Sequence, residues 1–326
     1  MAQLTILGSG AWGTALASVL ENQFDKTVIW SYIEQEADEI NAKHASSRYL
    51  PHVVLKHVRA VTSLKNALTG ADIIISAVPS FAIRMTWEQA KQFLSPKIPF
   101  INASKGVEKD SHKLPYELYE EIFQTKDNYF SLAGPSFAED VAEKKPTAVN
   151  LAGKDKECAR SIIKKLQNKT FHLRYSDDVV GTELGAVMKN VIAIASGMVM
   201  GNNFGPNTQA IVVVEGIKEM MALGKEMGAK EETFLGLSGL GDLLLTAMNN
   251  KSRNMNFGIE LGKGLPLDEA LLDQKGVAEG YYTTFSVDYM LQKYKVSLPL
   301  CSMIVDILIH KRPIHERFTQ FLGEVF

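Results

Sequence analysis

The sequence predicts an α/β protein in which an N-terminal, doubly wound parallel sheet is followed by an all-α C-terminal domain. Short apolar runs of strand length alternate with helical stretches through the first half of the 326-residue chain. A glycine-rich turn follows the first of these runs directly. From residue 183 onward, long helical stretches are separated by glycine and proline. We therefore expect one domain over residues 1–178 and a second over residues 179–326.

The glycine-rich turn predicts the first βα unit. A strand over Leu4–Leu7 runs into Gly8–Gly13, which reads G-x-G-x-x-G, and the helix-forming stretch Thr14–Leu20 follows. In nucleotide-binding units the first glycine allows a tight turn, the second lets the backbone approach a pyrophosphate, and the third lets helix and strand pack closely. The pyrophosphate then lies on the free N–H groups of the helix. The pattern predicts a Rossmann-like dinucleotide site, with a simple packing turn as the alternative.

The later elements follow from the same patterns. Long helices are predicted over Glu183–Met200 and Thr208–Met227 in the second half of the chain. In the first half, alternation of strand-length and helical segments favours parallel strands. The further predicted strands are Thr27–Trp30, Asp72–Val78, Pro99–Ala103, Tyr129–Ala133, Thr147–Leu151 and Phe171–Tyr175.

Composition restricts the class of ligand. A chain that is 46% hydrophobic and 22% charged is typical of a globular protein, and a net charge of −2 provides no general attraction for nucleic acid or an anionic membrane. The two cysteines match no metal or redox spacing, and the scattered histidines predict no metal site. The apolar run Val191–Met200 is too short to span a bilayer. We expect a cytoplasmic protein with a small-molecule ligand.

The residues after the second strand do not decide between two cofactors. An acidic residue about 20 positions past the glycines binds the ribose of NAD, and a nearby arginine accommodates the phosphate of NADP. The chain has Ser31-Tyr32-Ile33-Glu34 there, so Glu34 comes late and Tyr32 can only stack or donate its hydroxyl. Either NAD(H) or NADP(H) is therefore compatible with the sequence.

Lys189 lies inside an apolar helical stretch. The flanking segments Ala186–Met188 and Val191–Ala193 place its ammonium on or beside a buried face, where an unpaired charge is costly. One interpretation is a side chain that extends along the apolar surface to solvent. The other is a proton donor whose pKa is lowered by burial or by a second cation such as Lys105.

Lys105 and Asp242 follow predicted structural elements at positions that suit functional groups. Lys105 comes after an apolar strand, where a parallel sheet presents ligand-binding residues, although a solvated loop lysine is equally compatible. Asp242 comes after a glycine-rich turn. It either caps the helix that starts there or orients a lysine or substrate hydroxyls, with Thr246 one helical turn further on.

Ser252-Arg253-Asn254 combines a hydroxyl, a guanidinium group and an amide in three consecutive residues. This set can hold a phosphate dianion, because the guanidinium presents several fixed donors to the phosphate oxygens. The alternative is that Arg253 lies on a solvated helix face.

Across almost the whole chain, the order and spacing of these segments resemble the NAD(P)-dependent sn-glycerol-3-phosphate dehydrogenases of the bacterial type. The segments that carry the resemblance are Gly8–Gly13, Ser104–Gly106, Gly134–Ala138, Val187–Ala193, Gly239–Leu243, Ser252–Asn254 and Val277–Tyr281.

The resemblance implies reversible hydride transfer between NAD(H) or NADP(H) and C2 of dihydroxyacetone phosphate, a phosphate ester, in a homodimer that supplies sn-glycerol 3-phosphate for phospholipid synthesis. It implies that Lys189 is the catalytic acid/base, that Lys105 polarises the carbonyl and that Asp242 helps to place that carbonyl. The implied substrate-binding residues are Lys105, Gly134, Ser136, Lys189, Asp242, Ser252, Arg253 and Asn254. The implied cofactor-binding residues are Gly8, Gly10, Ala11, Trp12, Gly13, Tyr32, Lys105, Ala138, Arg253, Val277 and Glu279.

Two positions depart from the family pattern. Ala11 stands where a serine is common, and Tyr32 stands where an arginine or histidine is frequent, which leaves the preference for NADP open.

Two other functions are weighed against the main one. A related two-domain dehydrogenase of a non-phosphorylated hydroxy or imino acid would leave Ser252–Asn254 without a task, and a non-catalytic dinucleotide-sensing module would not need Lys105, Lys189 and Asp242.

Overall fold

The computed structural model describes residues 2–95, 97–272 and 278–326. The chain forms two compact units. The first comprises Met1–Glu108 and Lys113–Val179, and the second comprises Lys109–His112 and Val180–Phe326. The boundary predicted between residues 178 and 179 lies one residue from this division, and the short segment Lys109–His112 belongs with the helical unit.

The first unit is built on one eight-stranded sheet, and the second is helical. The strands are β1 Gln3–Leu7, β2 Lys26–Trp30, β3 Val58–Val61, β4 Ile73–Ser76, β5 Phe100–Asn102, β6 Tyr129–Ala133, β7 Thr147–Gly153 and β8 Phe171–Ser176. The helices of the first unit are α1 Ala11–Leu20, α2 Glu34–Lys43, α3 Leu64–Leu68, α4 Ile83–Lys91, α5 Pro115–Phe123, α6 Ala138–Ala142 and α7 Lys156–Leu166. The later helices are α8 Val179–Gly201, α9 Gly205–Glu226, α10 Glu231–Phe234, α11 Asp242–Ala247, α12 Arg253–Gly262, α13 Leu267–Leu272, α14 Glu279–Tyr294, α15 Pro299–Leu308 and α16 Ile314–Val325.

The sheet has the order β3-β2-β1-β4-β5-β6-β7-β8, and its first six strands are parallel. Successive residues of β1 point to opposite faces, so Ile6 packs in the core cluster with α1 and α7, and Leu7 packs in the cluster with α3, α4 and α5. The strand order reverses between β1 and β4, which is where open α/β sheets bind ligands. The predicted Rossmann-like sheet followed by an all-α region is confirmed.

Two features of the sheet differ from the sequence prediction. Strand β7 runs antiparallel to β6, whereas alternation of elements predicted a parallel sheet. A crossover helix must return along the whole strand, but the five-residue α6 extends only about 7.5 Å against about 16 Å for β6. The edge strand β3 was not predicted because it has four residues, one of which is the exposed Arg59.

Helix α8 is longer than the predicted Glu183–Met200 and begins at Val179. Within the described residues it is the one helix that is long and apolar enough, by length and composition alone, to cross a membrane, because it extends well before the run Val191–Met200. Its most apolar 18-residue window is 89% buried inside the protein. The apolar sequence of α8 is therefore accounted for by its place in the core of the helical unit.

A buried carboxylate holds the start of α15. Glu219, on α9, accepts hydrogen bonds from the backbone N–H groups of Leu300 (2.5 Å) and Cys301 (2.9 Å). These N–H groups belong to the first helical turn, which has no acceptor within the helix. Burial raises the pKa of Glu219 to about 7, although the two N–H donors oppose this shift.

Substitution Glu219→Gln should remove a pH dependence of stability. The folded-state pKa of about 7 lies above the ordinary 4.5, so the stabilising effect of the protonated form is complete below pH 4.5 and is lost as the pH rises through 7. Relative to the variant, the wild type should lose about 3 kcal/mol of unfolding free energy across this interval. Urea unfolding followed by circular dichroism at pH 5 and pH 8 measures the difference. Glu226→Gln, an exposed position on the same helix, is the control. Parallel pH slopes for the Glu219 variant and wild type would contradict the assignment.

Candidate active site

The glycine-rich turn connects β1 to α1 with no room for side chains at its ends. Gly8 has φ +112°, and a Cβ there would lie 2.8 Å from the Ala77 carbonyl oxygen. A Cβ on Gly13 would lie 1.9 Å from the carbonyl oxygen of Gly8, so helix and turn can meet only without it. Nothing lies within 4 Å of a Cβ built on Gly10. The backbone at Gly10 is therefore open to a ligand.

The start of α1 supplies donors at this open position. Ala11 begins the helix, and the N–H groups of its first turn, which includes Trp12, have no acceptor within the helix. Trp12 Nε1 is buried and has no hydrogen-bond partner among the residues that the structure describes. An unpaired buried donor costs about 1–3 kcal/mol, which an acceptor on a ligand would offset. These groups fit the dinucleotide pyrophosphate predicted from the sequence.

A carboxylate adjoins the glycine-rich turn, and it comes from Glu36. The Ser9 hydroxyl lies 2.7 Å from Glu36 Oε2 and 2.7 Å from the hydroxyl of Ser31, which follows β2. The sequence argument considered Tyr32 and Glu34 instead. Tyr32 is 78% exposed with its ring against the edge of Trp30, and Glu34 is exposed at the start of α2. Glu36 was missed, although its place in the first turn of a helix after β2 was a usable signal.

Lys105 lies beyond the carboxyl end of β5. The loop that carries it is fastened by the Ser104 hydroxyl, which donates to the Val78 carbonyl oxygen (2.7 Å) after β4. Lys105 Nζ donates to the carbonyl oxygen of Gly134 (3.5 Å), and the Ser136 hydroxyl donates to the same oxygen (2.9 Å). Lys105 is half-buried in this loop. Lys105, Gly134 and Ser136 are thus brought together at the ends of β5 and β6.

One further predicted cofactor residue of the first unit, Ala138, packs against the core. Ala138 is the first residue of the short helix α6 and packs, partly buried, against the core cluster that contains α1. Helix α6 in turn packs on α1. Ala138 therefore supports the helix that follows the glycine-rich turn.

Lys189 and Asp242 form a buried ion pair in the helical unit. Lys189 is 5% exposed and Asp242 is fully buried. Lys189 Nζ donates to Asp242 Oδ1 (2.5 Å) and to the Thr246 hydroxyl (3.0 Å), and the Thr246 hydroxyl donates to the Asp242 carbonyl oxygen (2.6 Å). The interpretation of Lys189 as a solvent-reaching side chain is therefore wrong. Asp242 is the first residue of α11, after the N-cap Gly241, and its carboxylate orients the lysine.

The backbone around the pair is closely packed. A single π-helical turn over Leu237–Gly241 precedes α11, and a Cβ on Gly185 of α8 would lie 2.4 Å from the carbonyl oxygen of Ser238. Glycine at 185 thus lets α8 approach the turn. At the other end of α11, the Ala247 carbonyl oxygen accepts hydrogen bonds from the Ser196 hydroxyl (2.5 Å) and from Gln209 Nε2 (3.2 Å). Both ends of α11 are therefore fixed.

The three residues Ser252–Asn254 lie at the start of α12, and their side chains have different surroundings. The Ser252 hydroxyl accepts from the Met255 N–H (3.2 Å) and so caps the helix, while Arg253 is exposed. Asn254 Nδ2 donates to Asn190 Oδ1 (3.0 Å), and Asn254 Oδ1 accepts from the Gly280 N–H (3.0 Å). Asn254 therefore ties α12 to α8, beside Lys189, and to α14.

Glu279 is the first residue of α14, and its carbonyl oxygen accepts from the Thr283 hydroxyl (2.8 Å). Val277, the other predicted cofactor residue of this region, lies outside the described residues.

The helical unit can hold and deliver a proton. A carboxylate beside an ammonium favours its charged form, whereas burial disfavours it. Lys189 therefore has both a charge partner and a low-dielectric setting, which strengthens its interaction with any oxygen that gains negative charge nearby.

Two family models match the chain. The model described as the N-terminus of NAD-dependent glycerol-3-phosphate dehydrogenase matches residues 3–159, and the model described as its C-terminus matches residues 178–319. Together they match most of both units.

Individual relatives match over nearly the full length. Glycerol-3-phosphate dehydrogenase (NAD(P)+) of Staphylococcus saprophyticus is 37% identical, over 99% of this chain and 98% of its own. The protein of the same name from Lysinibacillus sphaericus is 38% identical, over 95% of this chain and 93% of its own. The crystal structure of glycerol-3-phosphate dehydrogenase from Coxiella burnetii is 34% identical, with a TM-score of 0.93 over 98% of both chains.

Substitution Asp242→Ala should destabilise the protein strongly, because it leaves the Lys189 ammonium buried without its carboxylate. The expected loss is about 3–5 kcal/mol of unfolding free energy, measured by urea unfolding followed by far-ultraviolet circular dichroism. Asp268→Ala, at an exposed helix position, should change it by less than about 0.5 kcal/mol.

The double variant Lys189→Met/Asp242→Leu should be more stable than Asp242→Ala, because no unpaired charge remains buried. Equal losses for the Asp242 and Asp268 variants would show that the pair does not carry this energy.

Proposed function

We propose that this chain, which belongs to the NAD-dependent glycerol-3-phosphate dehydrogenase family, interconverts dihydroxyacetone phosphate and sn-glycerol 3-phosphate with NAD(H) or NADP(H). The observation that carries the proposal is the buried Lys189, whose Nζ is held by Asp242 and Thr246. Reduction of a ketone needs a proton at the oxygen as well as a hydride at the carbon. The helical unit contains a suitable proton donor.

The roles of the chain's own residues follow from this chemistry. The Lys189 ammonium donates a proton to the C2 oxygen in the reductive direction, and Asp242 holds the ammonium in place. Lys105 polarises the carbonyl, since a cation stabilises the negative charge that develops on oxygen. A bound nicotinamide cofactor supplies the hydride. In the oxidative direction, the neutral lysine takes the hydroxyl proton.

The substrate phosphate is assigned to the start of α12. Arg253 is exposed there and can present its guanidinium fork to a dianion, and the Ser252 hydroxyl keeps its proton for donation while it caps the helix. The first turn of this ten-residue helix also has N–H groups without helical acceptors. Asn254 supports the set through its bonds to Asn190 and Gly280. Gly134 and Ser136 contribute polar groups beside Lys105.

The cofactor is assigned to the glycine-rich turn and its surroundings, and the family resemblance adds Glu279, the first residue of α14, and Val277, which lies outside the described residues. This use of Ser252–Asn254, together with relatives that are glycerol-3-phosphate dehydrogenases, favours a phosphate ester over a non-phosphorylated hydroxy or imino acid. The Lys189–Asp242 pair likewise favours an enzyme over a dinucleotide-sensing module. We also propose a cytoplasmic homodimer that acts on small molecules and feeds phospholipid synthesis.

Substitution Lys189→Arg tests the proton donor without breaking the ion pair. A guanidinium keeps the charge beside Asp242 but does not release its proton, so kcat for dihydroxyacetone phosphate should fall at least about 100-fold. The Kd of NADH, measured without substrate, should change less than about twofold. Lys225→Arg, at an exposed site on α9, is the matched control and should keep its activity. Retention of kcat in the Lys189 variant would refute this role.

Substitution Arg253→Ala tests the phosphate site. Loss of a charge-assisted, bidentate contact should raise KM for dihydroxyacetone phosphate by about tenfold or more, with a smaller change in kcat. The substrate without a phosphate, dihydroxyacetone, provides the comparison, because its weak turnover should not respond to the substitution. An equal response of both substrates would place Arg253 away from the phosphate.

A further inference from the structure

Glu36 lies next to the end of β2 and the glycine-rich turn. At this position, called the ribose corner below, Rossmann-like folds distinguish NAD from NADP. Glu36 lies in the first turn of α2, and its Oε2 is 2.7 Å from the hydroxyl of Ser9, inside the glycine-rich turn. The same hydroxyl is 2.7 Å from that of Ser31, directly after β2. Ser9 and Ser31 are both buried, so the carboxylate is anchored between the turn and the end of the strand.

An acidic group at the ribose corner has a known chemical consequence. A carboxylate accepts hydrogen bonds from the ribose 2′-hydroxyl of NAD, whereas the 2′-phosphate of NADP needs a cation such as arginine. Here the residue after β2 is a serine, and the carboxylate reaches the ribose corner from α2. We propose that Glu36 is the specificity-determining residue of this site and that it makes the protein select NADH over NADPH.

The contacts of Glu36 leave it able to bind a hydroxyl. Arg48 NH1 lies 3.4 Å from Oε1, and the pKa of Tyr49 is raised by burial and then by the charge of Glu36. A carboxylate has about four acceptor positions, and the hydrogen bonds from Ser9, Arg48 and Tyr49 use three of them. The carboxylate can therefore accept from a ribose hydroxyl as well.

The surroundings disfavour a second anion. Four carboxylates lie in the first six residues of α2, those of Glu34, Glu36, Asp38 and Glu39. The loop Ser31–Ile33 contains no basic residue, and the guanidinium of Arg48 is already paired with Glu36. A 2′-phosphate, which carries close to two negative charges, would meet like charge rather than a free cation.

This proposal rests on the proposed function only for the identity of the cofactor, and it can be measured without the reaction. The Kd values of NADH and NADPH are determined by titration of nucleotide fluorescence with no substrate present. The wild type should bind NADH at least about tenfold more tightly than NADPH, and Glu36→Gln should reduce this ratio by about tenfold. Glutamine keeps an acceptor for Ser9, so the fold should be retained.

Two variants make the test specific. Asp38→Asn removes the same charge from an exposed position of the same helix, and it should change the ratio less than about twofold. Adding Arg48→Ala to Glu36→Gln should weaken the binding of NADPH again. In the single variant Arg48 has lost its partner Glu36 and would be the cation that binds the 2′-phosphate.

An unchanged ratio in Glu36→Gln, or a wild type that prefers NADPH, overturns the proposal while the proposed function stands if dihydroxyacetone phosphate is still reduced. Failure to bind either dinucleotide overturns both. Equal effects of Glu36→Gln and Asp38→Asn would assign the preference to the general charge of α2 and overturn the role of Glu36.

Discussion

The helical unit depends on one interaction, the buried ion pair between Lys189 and Asp242. Removing two charges from water costs several kcal/mol each, and the attraction between them repays this only when geometry and hydrogen bonding are good. Thr246 accepts a second hydrogen bond from the ammonium, and the fixed ends of α11 keep the carboxylate in place. Apolar residues of similar size would be a less demanding way to stabilise α8. The pair is best explained by the chemistry that a positioned ammonium makes possible.

The sheet of the first unit positions a second set of groups by topology. Parallel strands end at the same edge, so the glycine-rich turn, Ser31, Lys105 and Gly134 all follow the carboxyl ends of strands in one sheet. Helices cover both faces of this sheet, which leaves this edge for ligands. The antiparallel β7 lies beyond β6 and does not disturb this edge. The fold of this unit thus provides a dinucleotide site with few specialised residues.

The sequence predicted the parts that depend on local pattern. The turn at Gly8–Gly13, the strands of the first unit other than β3 and the apolar surroundings of Lys189 all follow from spacing, and Asp242 with Thr246 was one of two stated possibilities. Prediction failed where distant residues decide the outcome. The direction of β7 depends on how far α6 reaches, and the carboxylate beside Ser9 comes from Glu36 because the first turn of α2 brings that side chain to the glycine-rich turn. The two hydrogen bonds of Asn254, to Asn190 and from the Gly280 N–H, likewise join three helices that no local pattern connects.

The most direct test of the account is the transfer of a labelled hydride. The protein is incubated with dihydroxyacetone phosphate and NADH that carries deuterium at the transferable position of C4, and the product is examined by mass spectrometry and nuclear magnetic resonance. The account predicts sn-glycerol 3-phosphate with one deuterium bonded to C2 and an unlabelled hydroxyl, because carbon receives the hydride and oxygen receives its proton from Lys189. A product without deuterium at C2, or no product with either nicotinamide cofactor, would contradict it.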